Sequence, residues 1–599
     1  MDRKAWIVVI LCVAGLGLWQ WTYVKYYAPT PEQRAAAQRA VEAAKAAPAD
    51  GSPAPSATAV AAPPAPAAAV PARTQPLAAP VPVVPRERHE VSTGLAKFVF
   101  VSDAGGIEKA VLLGHMGENG GKVTLNIPEA LPIGATGEAP GTASGGFVRE
   151  SSTSPNQVVF AQSAADGMRT RKIFTVSEAD GGQGDYTVDL EVQFTNEGSA
   201  PAQRAGFYVS LGGAAPIHLS DMTLYTGIDW YREGKATFAD VNWFNASSIP
   251  LVGIQLRPAQ SIYEQRSDKI SWAAVKNQYF TSIIAAVEGD PGVSVWARRI
   301  DLLHAGNAEH KVFGIEGALG LPGFTLAQGE ARSWRFQIYA GPKDLGRLSK
   351  LGHDEQAVMN FGIFKWVSEI LLYSMNALYG VLGNFAAAII VLTIIIKALL
   401  WPLQNKATNS MRRMSLLSPK MTELREKYKD DPTRMNQELM KLYKDYGVNP
   451  FSGCFPMLIQ IPIFFGFYSM LGTAIELRNS SFLWVHDLSQ PDTVGHILGF
   501  PLNILPLLMA ATMLWQMQLT PKTGDAVQQR MFMFMPVIFI LFAYNFASAL
   551  SLYWTTQNLI SVVQLYLTRN KPLPVLEKKS AVQKKALEGD KGKHRKSGA

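Results

Sequence analysis

Five long apolar stretches in the C-terminal part of the chain constrain its fold more than any other feature of the sequence. They lie at about residues 379–402, 453–475, 497–517, 531–546 and 549–568. A transmembrane helix needs about 20 consecutive, mostly apolar residues, and each stretch reaches or approaches that length. The last two are short and are separated only by a turn near residues 545–548, so they are predicted to form a tight pair. The sequence therefore predicts an α-helical membrane region with five spans.

A sixth apolar segment, residues 6–24, lies between the basic Arg3-Lys4 pair and a cluster of aromatic residues. A signal peptide and an uncleaved anchor both fit such a segment. No small-x-small cleavage site follows at the usual distance, which favours an N-terminal transmembrane anchor over residues 1–27. Residues 28–90 are dominated by Ala and Pro and are interpreted as an extended linker.

The distribution of positive charge predicts how the spans are oriented. The loop at 404–452 carries ten Lys and Arg residues, whereas the loop at 476–496 carries only Arg478. Excess Lys and Arg stay on the cytoplasmic side. Both termini are therefore predicted to be cytoplasmic. The basic tail, residues 571–599, is either a solvated end or a site for ribosomal RNA or anionic lipid.

The region at 91–345 has a different pattern, with short alternating runs such as Tyr186-Thr187-Val188-Asp189-Leu190 separated by Gly and Asp-Gly. Alternation with this punctuation is typical of antiparallel strands. The region is predicted to be an outer, periplasmic β-sandwich of about 250 residues. Cys12 and Cys454 both fall in apolar stretches, so the sandwich contains no disulfide.

Two further helical features are predicted around the first of the five spans. Residues 359–373 place Phe361, Phe364, Val367 and Leu371 on one side and Lys365, Ser368 and Glu369 on the other, as in a helix along the outer membrane interface. Packing on the sandwich is the alternative. Residues 404–449 predict a cytoplasmic helical hairpin, because apolar residues recur at helical spacing and Asp431-Pro432 has the form of an N-cap followed by Pro at the first helical position. Its Met-rich stripes either pack on each other or receive varied apolar segments.

Lys397 is the most informative single residue, because it is a lone charge inside the first of the five spans. A Lys at mid-bilayer costs roughly 2.5–3.5 kcal/mol on insertion scales. Snorkelling is one explanation, since Pro402 is only five residues away and the Lys stem is long. The other is a hydrated, cationic concavity within the helix bundle. Polar residues of the bundle are candidates to line it, namely Thr393, Gln460, Ser551, Thr555, Asn558 and Ser561.

Residues 449–464 read Asn-Pro-Phe-Ser-Gly-Cys-Phe-Pro-Met-Leu-Ile-Gln-Ile-Pro-Ile-Phe and closely resemble the signature span of YidC/Oxa-type membrane protein insertases. The resemblance covers residues 346–570 and includes Met535-Pro536, and it places Lys397 where the family has a groove Arg or Lys. The outer region, with Asn277-Gln278-Tyr279-Phe280, is similar to the bacterial YidC form, in which it is a β-supersandwich. The chain departs from relatives that have Arg in place of Lys397, so this position keeps the positive charge but does not offer a bidentate guanidinium.

This resemblance implies two sets of site residues. The predicted substrate groove comprises Lys397, Thr393, Gln460, Ser551, Thr555 and Asn558. The predicted contacts of the substrate's apolar helix, along the bundle surface or on the hairpin, are Met411, Met414, Met421, Met435, Phe464, Phe465, Met535 and Trp554.

The leading hypothesis for function is insertion of proteins into the bacterial inner membrane. No Gly-rich phosphate loop is evident, and no cofactor or metal is expected. The predicted partners are nascent membrane proteins, the lipid bilayer, the ribosome, and the Sec translocon with its accessory subunits, but not DNA. A secondary transporter is one rival, although no carboxylate in the five spans can pair with Lys397. A carbohydrate-active enzyme on the sandwich is the other, although its histidines, His115, His218, His304 and His310, lack metal-ligand spacing.

Overall fold

The computed structural model describes residues 86–117, 120–152, 154–178, 184–218, 220–248, 255–302, 312–448, 455–497, 499–521, 536, 539–541 and 543–569. The predicted N-terminal anchor, nearly all of the Ala/Pro-rich linker and the basic tail lie outside these residues. So does half of the stretch at 531–546. The first strand begins at Arg88, so the last residues of the predicted linker belong to a sheet.

The described chain begins with an antiparallel β domain and continues with a helical region, which contains the last two strands. The strands are β1 Arg88–Ser92, β2 Ala96–Val101, β3 Gly106–Met116, β4 Lys122–Leu125, β5 Thr136–Gly137, β6 Val148–Glu150, β7 Gln157–Ser163, β8 Met168–Glu178, β9 Gly184–Asn196, β10 Ala202–Ala214, β11 Gly227–Arg232, β12 Lys235–Asp240, β13 Ser247–Ser248, β14 Gln255–Arg257, β15 Ile262–Ile270, β16 Trp272–Lys276, β17 Phe280–Glu288, β18 Gly292–Leu302, β19 Val312–Leu326, β20 Ala331–Pro342, β21 Thr493–Ile497 and β22 Phe500–Asn503.

Two large sheets form the sandwich that the alternating pattern predicts. One has nine strands in the order β12-β11-β16-β17-β20-β9-β8-β7-β6, and the other has five in the order β15-β18-β19-β10-β5. Strands β1–β4 form a third sheet, and the pairings are antiparallel. Aromatic rings close the space between the two large sheets. In this cluster Phe194 and Trp334 of the larger sheet lie 5.1 and 4.9 Å, centroid to centroid, from Phe324 of the smaller one.

The helices occupy most of the chain after residue 344. They are α1 Leu345–Leu348, α2 Lys365–Leu382, α3 Phe385–Lys427, α4 Pro432–Tyr446, α5 Phe455–Thr473, α6 Ile504–Leu519 and α7 Ser548–Arg569. By length and composition, α3 alone among the described helices qualifies as a membrane span, while α6 and residues Leu458–Thr473 are apolar but shorter.

Three predicted helix boundaries differ from the observed ones. Residues 379–382 belong to α2, because Gly383 ends that helix in the left-handed conformation and Asn384 caps the next. α3 then runs without interruption through Pro402 and Pro419, so the predicted span and the first arm of the hairpin are one helix. The third stretch begins as the hairpin β21–β22 rather than as a helix, and α6 starts only at Ile504.

The predicted interfacial helix is displaced and differently packed. A short 3₁₀ turn at Gly362–Phe364 leads into α2, which extends to Leu382 instead of ending at 373. Ser368, predicted on the polar face, is fully buried and donates to the carbonyl of Gly466 at 3.1 Å. A hydroxyl whose bond is made inside an interface can be buried at little cost, so α2 packs on α5 through this position.

The hairpin of α3 and α4 forms as its cap and apolar spacing predict. Asp431 accepts a hydrogen bond from the backbone N–H of Arg434, with Pro432 at the start of α4. The two arms enclose a small core around Leu417, Met421 and Leu439.

The sandwich is docked on the last turn of α5 and on the loop between α5 and α6. The side chain of Gln278 donates to the carbonyl of Gly472 at 2.7 Å, and the Tyr279 hydroxyl donates to the carbonyl of Ser489 at 3.2 Å. Arg478 of the loop is buried, donates to the carbonyl of Met116 at 3.0 Å and lies over the ring of Tyr279. The α5–α6 loop is therefore on the same side of the helical region as the sandwich.

Candidate functional site

Lys397 lies inside the helix bundle. It is twelve residues after Phe385, the first residue of α3, or roughly 18 Å along the helix axis at about 1.5 Å per residue. Its side chain is only 6% exposed, and its Nζ donates to the Ser561 hydroxyl of α7 at 2.9 Å. The ammonium therefore points across the bundle toward α7. This position disagrees with snorkelling, in which the head group would extend toward the Pro402 end of the span.

The Lys397 ammonium has one hydrogen-bond partner among the residues that the structure describes. A Lys ammonium has three donors, and Ser561 accepts one of them. Within the described part of the chain, no carboxylate lies within 4 Å of Lys397. Its single observed partner is a neutral hydroxyl.

A small cavity adjoins the ammonium, between α3, α5 and α7. Its volume is about 10 Å³, which is room for about one water molecule. It is lined by Thr393, Ile396, Lys397, Leu400, Gln460, Ile463, Phe467, Tyr553 and Gln557. The Gln460 amide donates to the Gln557 side chain at 3.0 Å and to the Tyr553 hydroxyl at 3.3 Å. Two of the predicted groove residues, Thr393 and Gln460, thus share a cavity with Lys397.

Three other predicted groove residues do not face this cavity. Asn558 turns toward α6, where its amide donates to the carbonyl of Met509 at 3.3 Å and to the Thr512 hydroxyl at 3.2 Å. Thr555 donates to the carbonyl of Ser551 in its own helix, and the Ser551 hydroxyl is buried. At roughly 100° per residue, positions 551, 555 and 558 lie on a different face of α7 from positions 553, 557 and 561. The prediction of one continuous polar concavity is wrong in this respect.

Gln557, which was not predicted, and Ser561, which was one of the candidates for the concavity, take the place of these residues beside Lys397. Together with Tyr553 they recur every four residues along α7, and such residues share a face. The sequence contains two polar stripes on this helix, and only tertiary packing decides which one meets Lys397.

Several of the predicted apolar contacts meet at an aromatic surface. The ring of Trp554 lies 4.8 Å from that of Phe464 and 4.7 Å from that of Phe539, which belongs to the fourth apolar stretch. Phe465 is 46% exposed and stacks on Phe364 at 6.1 Å. Met535 lies outside the described residues. Phe464, Phe465 and Trp554 therefore belong to one continuous region of the bundle.

The predicted methionines of the hairpin mostly pack within it. Met421 is buried, and Met414 and Met435 are half-buried against the same small core. Met411 is half-buried earlier in α3, outside that core. Met440 of α4, which was not predicted, is 41% exposed.

The histidines singled out in the sandwich have structural surroundings where they are described. His115 packs edge-on against the ring of Phe280, 5.4 Å between centroids. His218 Nε2 lies 2.9 Å from the Arg478 guanidinium. His304 and His310 lie outside the described residues.

Comparison with known proteins accounts for both halves of the chain. Residues 377–574 match the family described as 60Kd inner membrane protein, and residues 91–374 match the one described as YidC periplasmic domain. A membrane protein insertase YidC of Pelobacter propionicus is 33% identical over 451 residues, which cover 74% of this chain and 76% of the relative. The corresponding protein of Syntrophus aciditrophicus is 30% identical over 595 residues, covering 94% of this chain and 99% of the relative.

The chain belongs to the YidC family of membrane protein insertases. The resemblance predicted from residues 449–464 is thereby confirmed. A solved structure of an active YidC insertase with its first transmembrane domain resolved covers 82% of this chain and 95% of its own, at 20% identity and a TM-score of 0.33. As a member of this family, the chain is a bacterial inner membrane protein whose β domain is periplasmic, and by family it is an insertase rather than an enzyme.

Proposed function

We propose that this insertase moves the polar flank of a substrate across the inner membrane past the Lys397 ammonium, while the apolar helix of the substrate leaves along the aromatic surface. The observation that carries the proposal is a buried ammonium whose one partner in the described part of the bundle is a neutral hydroxyl. A buried charge without a counter-charge is costly. An acidic group of the substrate that passes Lys397 would offset this cost during insertion.

The proposed topology has both termini in the cytoplasm and six transmembrane helices. It is supported by the contacts that the periplasmic sandwich makes with the last turn of α5 and with the α5–α6 loop, because these contacts favour an outer position for the C-terminal end of α5 and the N-terminal end of α6. Asn384, the cap of α3, donates to the carbonyl of Ser481 in the same loop. α3 therefore starts outside and runs inward to the hairpin, whose ten Lys and Arg residues suit the cytoplasm.

The groove shortens the distance that the polar flank of the substrate must cross through hydrocarbon. Its positive charge also attracts acidic residues of that flank. Two unit charges about 4 Å apart interact by about 4 kcal/mol at an effective dielectric constant near 20, so an acidic flank gains on the order of a few kcal/mol on reaching Lys397. Gln460, Gln557 and Thr393 replace part of the water that the flank loses. In this closed form the cavity has room for about one water, so the substrate itself separates α3 from α7 as it arrives.

The apolar helix of the substrate slides along the outside of α5 and the 531–546 stretch. Support comes from the meeting of Phe464, Trp554 and Phe539, which belong to three different apolar segments. Large aromatic rings offer broad contact area with little loss of side-chain entropy. Phe465 extends this surface toward the outer side, where it stacks on Phe364.

The hairpin receives the substrate before it enters the bundle. Met440 is exposed and Met411 is half-buried outside the small core, whereas Met414, Met421 and Met435 hold the two arms together. The basic tail keeps the ribosome near the hairpin, and the periplasmic domain contacts the Sec translocon and its accessory subunits when the two work together.

A vesicle insertion assay with charge variants tests the groove. Lys397→Met keeps the length of the side chain and removes the charge, and Lys397→Arg keeps the charge. For a single-span substrate with an acidic outer flank, we expect Lys397→Met to insert at least about tenfold more slowly, equivalent to about 1.4 kcal/mol, and Lys397→Arg to keep most of the rate.

The matched control is Lys406→Met, because Lys406 is an exposed lysine nine residues farther along the same helix. It should insert like the wild type. Loss of a buried charge does not destabilise the bundle, so the thermal unfolding midpoint of Lys397→Met should not fall. Wild-type insertion by Lys397→Met would contradict the groove mechanism.

A further inference from the structure

The α5–α6 loop exposes apolar residues at two tight turns, which is unusual for a segment on the periplasmic side. The first turn is Phe482–Val485, closed by reciprocal backbone hydrogen bonds of 2.8 Å, and it exposes Leu483 and Trp484. The second is the hairpin β21–β22, which exposes Val494, Ile497 and Phe500. Leu483 is 75% exposed and Phe500 is 76% exposed.

The first turn is strained at its exposed residue. Leu483 has a φ of +53°, in the left-handed region that non-glycine residues seldom adopt. A Gly or Asn would adopt this backbone without strain. A leucine that is both strained and exposed indicates that the side chain has a use at this position.

Hydrogen bonds fix both turns at the outer end of α6. The Trp484 indole donates to Asp492 at 3.1 Å, and Asp492 also accepts the N–H of Leu505 at 2.6 Å, in the first turn of α6. At the base of the hairpin, the Tyr544 hydroxyl donates to the carbonyl of Pro501 at 2.6 Å, and the Asn503 amide donates to the carbonyl of Tyr544 at 2.8 Å. These hydrogen bonds fix the backbone of the two turns, so that their apolar side chains stay exposed.

The length of α6 indicates what surrounds these turns. Its 16 residues span roughly 24 Å, which is shorter than the hydrocarbon core of about 30 Å. Its exposed Leu507 and Leu508 follow directly after the hairpin, so the apolar surface of the helix continues into it. Because α6 is shorter than the hydrocarbon core, the loop at its outer end faces lipid. Apolar residues in this loop match that surrounding, whereas polar residues would not.

The composition of the turns also fits lipid better than a charged partner. The hairpin Thr493–Asn503 has one titratable residue, His496, and the turn Phe482–Val485 has none. Trp484 combines an apolar ring with an N–H that is already bonded, the combination that Trp offers at membrane interfaces.

We propose that these two turns insert into the outer leaflet of the bilayer beside α6. Leu483, Trp484, Val494, Ile497 and Phe500 contact the upper acyl chains. They fix the depth of the short helix α6, and through Arg478 and Ser489 they fix the height of the docked sandwich above the membrane. This surface is separate from the groove around Lys397, so its failure would leave the proposed insertion mechanism intact.

Site-directed spin labelling of the full chain tests this placement. Cys12 and Cys454 are replaced by Ser, and single labels are attached after Leu483→Cys, Ile497→Cys or Phe500→Cys in nanodiscs of phosphatidylethanolamine and phosphatidylglycerol. Power saturation then compares the access of oxygen, which concentrates in lipid, with that of a water-soluble nickel chelate. We expect oxygen access to exceed nickel access at all three positions.

Two matched positions calibrate the result. His486→Cys, exposed just after the first turn, should show the opposite order, and Leu508→Cys, exposed on α6, should show the lipid order. Labels at 497 and 500 that resemble the one at 486 would overturn the proposal. So would labels shielded from both reagents in native inner membrane vesicles but not in nanodiscs, because that result would reveal a protein partner on this surface.

Discussion

Lys172, Lys276 and Lys397 are buried lysines of the described chain that differ in the number of their hydrogen-bond acceptors. Lys172 in the sandwich is fully buried and donates to three carbonyls, those of Ala104, Gly105 and Gly134, at 2.9–3.4 Å. Its donors are therefore all used, although burial lowers the pKa of its ammonium well below the usual value.

Lys276, also in the sandwich, donates at 2.7 Å to both the Asp229 carboxylate and the carbonyl of Val358. Lys397 has only the Ser561 hydroxyl within the described chain. Lys172 and Lys276 are thus each held by two or more acceptors, whereas Lys397 has one acceptor among the described residues. This difference supports the proposed role of Lys397 in the groove.

His115 gives a pH-dependent prediction at the residue scale. Burial, with Arg478 and Arg347 nearby, lowers the pKa of His115 to about 4, against about 6.5 in the unfolded chain. Between these values only the unfolded chain takes up the proton, so stability is intact above pH 6.5 and falls as the pH drops toward 4, by at most about 3 kcal/mol.

The variant His115→Phe keeps an aromatic ring against Phe280 and cannot be protonated. We expect its thermal unfolding midpoint, measured on the full chain from pH 7 to pH 4.5, to decline less steeply than that of the wild type. Parallel pH profiles for the two proteins would show that His115 contributes nothing to acid sensitivity.

The site residues show what sequence can and cannot determine at this scale. The burial of Lys397 and its grouping with Thr393 and Gln460 follow from a charge in an apolar run and from helical spacing. The face of α7 does not follow, because its rotation is set by packing, including the stacking of Phe467 on Tyr553 at 4.0 Å between centroids. Asn558 and Ser561 both satisfy a polar pattern, but only Ser561 meets the ammonium.

At the scale of elements, α2 and α5 approach each other closely at a glycine. A Cβ added to Gly466 would lie 2.7 Å from Cγ1 of Val367 and 3.3 Å from Cδ1 of Leu371, so even Ala does not fit without movement. Ser368 donates to the carbonyl of the same glycine. Backbones can approach this closely in a membrane bundle only where a small residue separates them.

Gly466→Ala should therefore push α2 away from α5 and destabilise the protein by roughly 1–3 kcal/mol. The readouts are the thermal unfolding midpoint and amide hydrogen exchange in α2, both of which should reveal the loss. Gly380→Ala is the matched control, since Gly380 lies within α2 and nothing lies within 4 Å of its added Cβ. It should be neutral or slightly stabilising, because Ala favours helix more than Gly does. Equal effects of the two substitutions would mean that this contact is not tight.

The sequence predicts the type of most secondary-structure elements but not all of the residues at which they begin and end. The helix α4 began where Asp431-Pro432 indicated, because a cap is a local interaction. The unbroken run of α3 through Pro402 and Pro419 was not apparent, because an interior Pro ordinarily ends or kinks a helix. The hairpin β21–β22 was hidden within an apolar run, whose composition resembles that of a span.

At the scale of the whole molecule, the sandwich and the helical region are joined through buried polar contacts. Arg478 lies between the rings of Tyr279 and Phe280, at 5.3 and 5.2 Å, and bonds to the carbonyl of Met116. The Asn277-Gln278-Tyr279-Phe280 motif, noted in the sequence only for its resemblance, thus supplies much of this docking surface. No periodicity in the sequence could have paired it with a loop 200 residues away.

Arg478→Met should loosen this docking without unfolding the sandwich. We expect faster amide hydrogen exchange in the loop around residues 474–492, with strands β8 and β9 unchanged, because those strands lie on the far part of the larger sheet. Arg266→Met replaces an arginine on an exposed strand and should leave exchange in the loop as in the wild type. If Arg478→Met also leaves it unchanged, Arg478 does not hold the two regions together.

The most direct test of the central claim exchanges charge between residue 397 and the substrate. Insertion rates are measured in vesicles without a membrane potential for two single-span substrates that differ only in an acidic or a basic outer flank, with wild-type protein and with Lys397→Glu. If the charge at this position acts on the flank, the wild type prefers the acidic flank, Lys397→Glu prefers the basic one, and the two changes are non-additive. A preference for the same flank by both proteins, to the same degree, would contradict the account.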